Sequence, residues 1–250
     1  MEENNIGWNF WTHKKVDKIT SPYSALVTPQ YQVIIDYLRG AIAQPDPNIA
    51  GMGLTSFANS LKIENCITRP GVIASLTDPE YGEISKSYTT HSIPGTIPAA
   101  YYDIGARGLS YSDSDYWNDG DGGYNDGWVF RNDGVDVEGS DDDPNIPYTV
   151  GWTEAGEWLG YTIEDVSPGT YEVSFSISAP DAGGIFFAQL SGQNLGVIDV
   201  PATGGWYNWE DLPAQTITVS EGEKFLKIQI VQAGFNLSLI HISEPTRLRS

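Results

Sequence analysis

Thr170–Ser178 read TYEVSFSIS, and this stretch decides the fold class of the chain. Polar and apolar residues alternate along it with a period of two. In an extended strand such alternation places four apolar side chains on one face: Tyr171, Val173, Phe175 and Ile177. The stretch therefore predicts a β-strand with one apolar face.

Similar runs recur between residues 93 and 236, and clusters of Gly, Pro, Asn and Asp separate them. The other predicted strands are Trp128–Arg131, Thr149–Thr153, Trp158–Ile163, Ile185–Leu190, Thr216–Val219 and Phe225–Val231. Short strands at this spacing, with no strong helical pattern between them, are typical of a β-sandwich. We predict an all-β fold for residues 93–236.

Residues 1–84 show a different pattern, with one strand at Ile6–Trp11 followed by three helices. The predicted helices are Pro29–Arg39, Asn48–Ile63 and Pro70–Leu76. One strand and its packing helices cannot form a core alone, so we predict the end of a larger unit here. Residues 85–92 are predicted to be a linker.

The charge of the chain is strongly and unevenly negative. The formal net charge is −20, and residues 93–236 hold 23 acidic and 4 basic residues. This charge argues against binding to nucleic acid or to anionic membranes, because both are negatively charged. It is compatible with a neutral ligand. Cys66 is the one cysteine, so no intrachain disulfide forms. The sequence also has no apolar run long enough to span a membrane.

Three aromatic stretches suggest the chemistry of a ligand. They are VGWTEAGEWLGYT (Val150–Thr162), GGWYNW (Gly204–Trp209) and GFN (Gly234–Asn236). Flat aromatic faces beside amides and carboxylates suit sugars, because a sugar ring has an apolar C–H face and a rim of hydroxyls.

These stretches, in this order, resemble family 6 carbohydrate-binding modules. Two more stretches carry the resemblance, IPGTIPAAYYD (Ile93–Asp103) and DGVDVE (Asp133–Glu138). The family is a β-jelly-roll whose sugar cleft lies in loops at one end of the sandwich. The resemblance implies that Trp152 and Trp206 hold a sugar between them and that Asn236 hydrogen-bonds it. Two other residues are candidates for the same cleft: Glu138 and Tyr148.

Trp158 and Trp209 lie inside strand-like runs, so we predict that both belong to the core. The resemblance also implies a structural calcium ion held near the first strand. Pro98 and Ala100 stand where the family has its calcium ligands. We therefore predict no cofactor and no metal site, with the structural calcium as the open alternative.

Residues 1–84 resemble the end of a family 5 glycoside hydrolase, a (β/α)₈ barrel. The resemblance rests on IGWNFWTHKK (Ile6–Lys15) and the helix after it, and it implies that Trp11 is a sugar-stacking platform. The two catalytic Glu residues of that family would lie upstream of Met1, so we assign no catalytic residue. Four other carboxylates show no defined pairing: Glu154, Glu157, Glu210 and Asp211.

The last residues resemble something other than a protein. Leu237–Arg247 read LSLIHISEPTR, which resembles the translation of a transposase-type sequencing adapter over all eleven residues. We therefore expect natural sequence to end near Asn236 and residues 237–250 to be an artefactual tail. Four apolar residues of that tail could nevertheless fill a last strand: Leu237, Leu239, Ile240 and Ile242.

The first functional hypothesis is a module that binds β-glucan, cellulose or xylan and targets an attached hydrolase to it. We expect such a protein to be secreted and monomeric. Two alternatives stay open at this point. The chain could itself be the catalytic chain of an endo-β-glucanase, or it could be an adhesion sandwich that binds no sugar.

Overall fold

The computed structural model describes residues 9–10, 12–114, 130–131, 133–143 and 145–245. The chain divides into two compact units, Met1–Leu76 and Thr77–Ser250. None of the helices in the described ranges combines the length and hydropathy needed to cross a membrane.

The first unit contains three helices: α1 (Pro29–Leu38), α2 (Pro47–Ser60) and α3 (Pro70–Thr77). A proline begins each helix, where its missing N–H costs no helical hydrogen bond. The side chains of Thr28 and Asp46 cap α1 and α2. The stacked rings of Tyr31 and Phe57, with centroids 4.1 Å apart, join these two helices. The three predicted helices are confirmed.

The first unit also has a small sheet that the sequence did not predict. Its strands, in sheet order, are β1 (Lys14–Val16), β2 (Tyr23–Ala25) and β3 (Ile67–Thr68). Two or three residues are too few to show a strand period. The predicted strand at residues 6–11 lies outside the described residues, except for Asn9 and Phe10, which belong to no strand. The barrel fragment stays a prediction.

The second unit is built from two large sheets and one small one. The seven-stranded sheet contains β5 (Gly95–Pro98), β7 (Val137–Asp143), β8 (Ile146–Val150), β11 (Gly169–Ser178), β14 (Glu210–Asp211), β15 (Gln215–Val219) and β17 (Asn236–Ser243). The five-stranded sheet contains β6 (Tyr111–Ser112), β9 (Trp158–Ile163), β12 (Gly184–Leu190), β13 (Gln193–Val200) and β16 (Lys224–Gln232). The short strands β4 (Ser92–Ile93) and β10 (Asp165–Val166) pair with each other.

The two large sheets pack face to face around one apolar core. The alternating apolar side chains of β11 are all buried, as the sequence predicts. The ring of Phe175 on β11 meets that of Phe186 on β12, with centroids 5.0 Å apart. Phe235 packs on Phe186 from the segment before β17. This unit is a jelly-roll-like β-sandwich, which confirms the predicted fold class.

The strand β17 lies in the middle of the seven-stranded sheet. It pairs antiparallel with β11 on one side and with β5 and β8 on the other. Its four apolar side chains are buried, so the prediction that they fill a last strand is confirmed: Leu237, Leu239, Ile240 and Ile242.

Residues 85–92, the predicted linker, lie within the second unit, which begins at Thr77. The Ser85 hydroxyl donates to Asp103 (2.8 Å), and Lys86 exchanges backbone hydrogen bonds with Ile104.

The prediction that two tryptophans belong to the core is wrong. Trp158 is half-buried on the outer face of β9, with the Lys227 ammonium 4.2 Å from its ring centroid. Its neighbour Leu159 points into the core, and adjacent side chains of a strand point to opposite faces. Trp209 is half-buried directly before β14, where its indole N–H donates to Asp141 Oδ1 (3.1 Å).

Candidate functional site

Five side chains from four separate segments line one cavity of about 170 Å³ at the sandwich edge: Glu138, Trp152, Trp206, Tyr207 and Asn236. Glu138 lies on β7 and Asn236 begins β17. Trp152 follows the end of β8, and the two remaining aromatics lie in the turn between β13 and β14. We call this cavity the aromatic cleft.

The segment that leads into β7 is anchored by a buried cation. The Arg131 guanidinium stacks 3.6 Å from the centroid of the Tyr102 ring and pairs with Asp133 at 2.6 Å. It also donates to the backbone carbonyls of Tyr102 and Asp103. A buried charge is tolerated when it is paired and hydrogen-bonded in this way. These bonds fix the start of the strand that carries Glu138.

Trp152 is held in a strained backbone conformation. Its φ is 43°, in the left-handed region that bulky residues rarely adopt, and its side chain is 46% exposed. Both neighbours are tied down, because the Gly151 N–H donates to Asp136 O (3.1 Å) and the Thr153 hydroxyl donates to Phe235 O (3.1 Å). The bonds on either side impose this conformation, which turns the indole outward into the aromatic cleft.

A tight turn presents Trp206 and Tyr207. Gly204 has a φ of 86°, and the backbone N–H groups of Thr203 and Gly204 both donate to Ala179 O. The indole and the phenol are 47% and 50% exposed. Large aromatic side chains exposed to this degree on a fixed turn provide stacking faces for a ligand.

Three side chains that are linked by hydrogen bonds form the floor of the aromatic cleft: Glu138, Tyr207 and Asn236. The Asn236 amide donates to Glu138 Oε1 (3.1 Å) and to Trp206 O (3.1 Å), and the Tyr207 hydroxyl donates to Glu138 Oε2 (2.6 Å). This last bond raises the pKa of the Tyr207 phenol. Gly151 makes room for the floor, because a Cβ there would lie 3.0 Å from Asn236 Oδ1.

Part of the second unit matches a known family. Residues 131–242 match the model of the family described as "Carbohydrate binding module (family 35)". This part of the chain is a carbohydrate-binding module.

A curated relative and two solved structures are among the known proteins that are similar to the module. The clotting factor G alpha subunit of Tachypleus tridentatus is 33% identical over 92 residues, which are 36% of this chain and 14% of that protein. The chain therefore matches only a small part of that relative's length.

Both solved structures are family 6 modules. The C-terminal module of the marine laminarinase LamC from Zobellia galactanivorans is 26% identical and has a TM-score of 0.45; the match covers 60% of this chain and 98% of that one. A module of lichenase 5A from Cellvibrio mixtus, solved with cellotriose, is 24% identical with a TM-score of 0.44, over 61% and 98% of the two chains.

The structure brings four of the sequence-predicted residues of the module into the aromatic cleft: Glu138, Trp152, Trp206 and Asn236. Tyr148 does not line the cleft. Its ring stacks on Phe130 with centroids 4.4 Å apart and packs against the core. Tyr148 lies two residues before the buried Val150, so both point to the core face of β8. Trp11 lies outside the described residues.

Sequence reasoning missed Tyr207. The signal was present, since Tyr207 follows Trp206 directly in a turn opened by two glycines. The family resemblance assigns one aromatic residue, Trp206, to that turn and gives no role to its neighbour. Both N–H donors of the Asn236 amide bond within the module, to Glu138 Oε1 and Trp206 O.

The residues of the module do not fit the calcium ion that the family resemblance implies. Pro98 and Ala100 are buried at those places, and neither side chain carries an oxygen. Across the described residues, no group of three or more His, Cys, Asp or Glu side chains is arranged to hold a metal ion. The acidic loop at residues 111–128 falls mostly outside the described ranges.

The Glu157 carboxylate stabilises a turn of the module. Glu157 Oε2 accepts from the Glu154 backbone N–H (2.7 Å), and Glu157 Oε1 accepts from the Ser114 backbone N–H (3.0 Å). Burial raises the pKa of Glu157. Neither Glu154 nor Glu157 lines the aromatic cleft.

Proposed function

We propose that the module binds one ring of a neutral β-linked glucan or xylan in the aromatic cleft. The observation that carries the proposal is the meeting of two exposed indoles and a phenol with a polar floor in one cavity. A β-linked pyranose has equatorial substituents and therefore presents apolar C–H faces to aromatic rings. Its hydroxyls need hydrogen-bond partners, which the Glu138 carboxylate and the Asn236 amide oxygen can supply.

The size of the aromatic cleft supports recognition of a single ring. Its volume of about 170 Å³ is close to that of an engineered cavity of ~150 Å³ that holds benzene. It is smaller than typical pockets for drug-sized ligands, which begin near ~300 Å³. We expect modest affinity from one stacked ring and a few hydrogen bonds.

We further propose that the module targets an attached glycoside hydrolase to its polymer. Tethering raises the local concentration of a catalytic domain on an insoluble substrate without any new catalytic contact. The family 5 barrel fragment at residues 1–84, the Trp11 platform, the secreted location and the monomeric state all belong to this proposal. So does the assignment of the module to family 6, which rests on the order of its motifs.

Affinity electrophoresis of the full chain in gels containing hydroxyethylcellulose, laminarin or xylan tests sugar binding. We expect at least one polymer to retard the protein and Trp206→Ala to abolish the retardation. Trp158→Ala is the matched control, because this half-buried tryptophan does not line the aromatic cleft. No retardation by any polymer would refute sugar binding, and loss with Trp158→Ala alone would move the site to the outer face of β9.

A further inference from the structure

The side-chain hydrogen-bond donors on the floor of the aromatic cleft all bond to acceptors within the module. The Asn236 amide has two N–H bonds, and both point at acceptors within the module, Glu138 Oε1 and Trp206 O. A flipped amide would set its oxygen against these two acceptors, so the orientation is fixed. Asn236 is 2% exposed and therefore has little freedom to turn. It can offer a ligand only its amide oxygen.

Tyr207 and Glu138 complete the same pattern. The single hydroxyl proton of Tyr207 goes to Glu138 Oε2 at 2.6 Å, which leaves the phenol oxygen as an acceptor. A carboxylate has about four lone-pair positions, and these two bonds occupy only part of them. None of the three floor side chains therefore has an N–H or O–H donor left for a ligand. The other side-chain donors among the lining residues are the indole N–H groups of Trp152 and Trp206.

We propose that this acceptor-only floor makes the aromatic cleft a filter for neutral sugars, with Glu138 as the residue that sets specificity. A neutral ring turns hydroxyl donors toward Glu138. A uronate or sulfate ester at the same position brings an anion with no proton to share, and two like charges then meet in a partly desolvated site. Unpaired like charge is an effective way to reject a wrong ligand. This inference rests on the proposed sugar binding.

The overall negative charge of residues 93–236 would also repel anionic polymers, so the two causes must be separated. Long-range repulsion is screened over about 8 Å at physiological ionic strength. Contact between a ligand anion and Glu138 is screened much less. Asp141 provides the matched control, because it is an exposed acid three residues along β7 that does not line the aromatic cleft.

Isothermal titration of the full chain with neutral and C6-oxidised hexaoses tests the filter. The probes are cellohexaose, laminarihexaose and the C6-carboxylate derivative of each. We expect at least one neutral hexaose to bind and its oxidised derivative to bind at least 100-fold more weakly, in both 0.15 M and 0.5 M NaCl. Glu138→Gln should reduce this ratio at least tenfold, whereas Asp141→Asn should leave it unchanged.

The outcomes separate this inference from the proposed function. Equal binding of neutral and oxidised hexaoses by the unmodified chain overturns the filter and leaves sugar binding intact. A ratio that collapses in 0.5 M NaCl, or that Asp141→Asn reduces as much as Glu138→Gln does, also overturns it. If no hexaose binds, both the filter and the proposed sugar binding are refuted. The salt comparison needs no variant, so it decides the question even if Glu138→Gln fails to fold.

Discussion

Trp152 combines a strained backbone with an exposed indole. A left-handed conformation costs an ordinary L-residue about 1–2 kcal/mol. The module keeps a bulky aromatic side chain there, at 46% exposure, although neither its backbone preference nor its burial favours it. Strain of this kind is retained where the position of a side chain matters more than stability.

Replacement of Trp152 should therefore separate stability from binding. Asn tolerates the left-handed region and Ala does not, so we expect Trp152→Asn to be more stable than Trp152→Ala by about 0.5–1 kcal/mol. Both variants should lose sugar binding, because both lack the indole face. Urea unfolding measures the first effect and affinity electrophoresis the second. Equal stability of the two variants would mean that the conformation at residue 152 stores no strain.

His91 should make the second unit sensitive to acid. The side chain is 3% exposed, and its Nε2–H donates to Tyr101 O at 3.1 Å. Burial lowers its pKa below the ordinary 6.5, against the opposing attraction of Asp103 and Glu164. The unfolded chain therefore binds a proton first as the pH falls, and stability is lost below about pH 6.5.

His91→Gln tests this dependence, because it keeps an N–H donor and removes the titration. We expect its free energy of unfolding to change less between pH 6.5 and pH 5 than that of the unmodified chain. Urea titrations at each pH provide the measurement. An unchanged slope would assign the acid sensitivity to other groups.

The family resemblance, carried by short local motifs, implied three residues of the aromatic cleft. Trp152, Trp206 and Asn236 each lie in a short stretch whose glycines and aromatics are specific. Tyr207 contributes through its bond to Glu138, a residue 69 positions away, and no local pattern shows such a pairing. Trp158 was wrongly predicted to lie in the core. An aromatic residue in a strand can face the core or the solvent, and the sequence of β9 does not show which face Trp158 takes.

The strands that sequence analysis missed are explained by their place in the sheets. β7 and β13 both lie at sheet edges, with one neighbouring strand each. Edge strands tolerate acidic and glycine residues, and VEGSDDD in β7 carries four acids. The central strands β11 and β16 keep an alternation of apolar and polar residues, which is why the sequence predicts them.

The central position of β17 makes it sensitive to truncation of its side chains. Ile240 is 0% exposed and lies opposite Phe175 on one side and Ile97 on the other. We expect Ile240→Ala to lower the free energy of unfolding by about 2–5 kcal/mol through the lost burial and the remaining cavity. Ser243→Ala, at the exposed end of the same strand, is the control and should change it by less than about 0.5 kcal/mol.

Urea unfolding followed by near-UV circular dichroism compares these two variants. Similar midpoints for Ile240→Ala and the unmodified chain would show that β17 contributes little to the stability of the sheet.

The two units should differ in resistance to proteases. The first unit leaves large apolar side chains in solvent, with Leu38 73%, Met52 64% and Leu54 57% exposed. The helices of this unit also bury little, since α1 and α3 have no buried residue and α2 has only Gly53. Regions with few buried apolar contacts open locally more easily. Limited chymotrypsin digestion should therefore cut within residues 1–84 first and leave a resistant fragment of the second unit, identified by mass spectrometry. Survival of residues 1–84 while β11 and β17 are degraded would contradict this expectation.

The middle position of the last strand also sets when the sandwich can close during protein synthesis. Ile97 on β5 pairs with Ile240 on β17, so a ribosome must add 143 further residues before that contact can form. At about 5–20 residues per second, the delay is roughly 7 to 30 seconds. During this delay β5 exposes a backbone edge that invites pairing with other chains, and β11 does so once it has been synthesised. These edges stay unpaired within the chain until β17, which ends at Ser243, has left the ribosome.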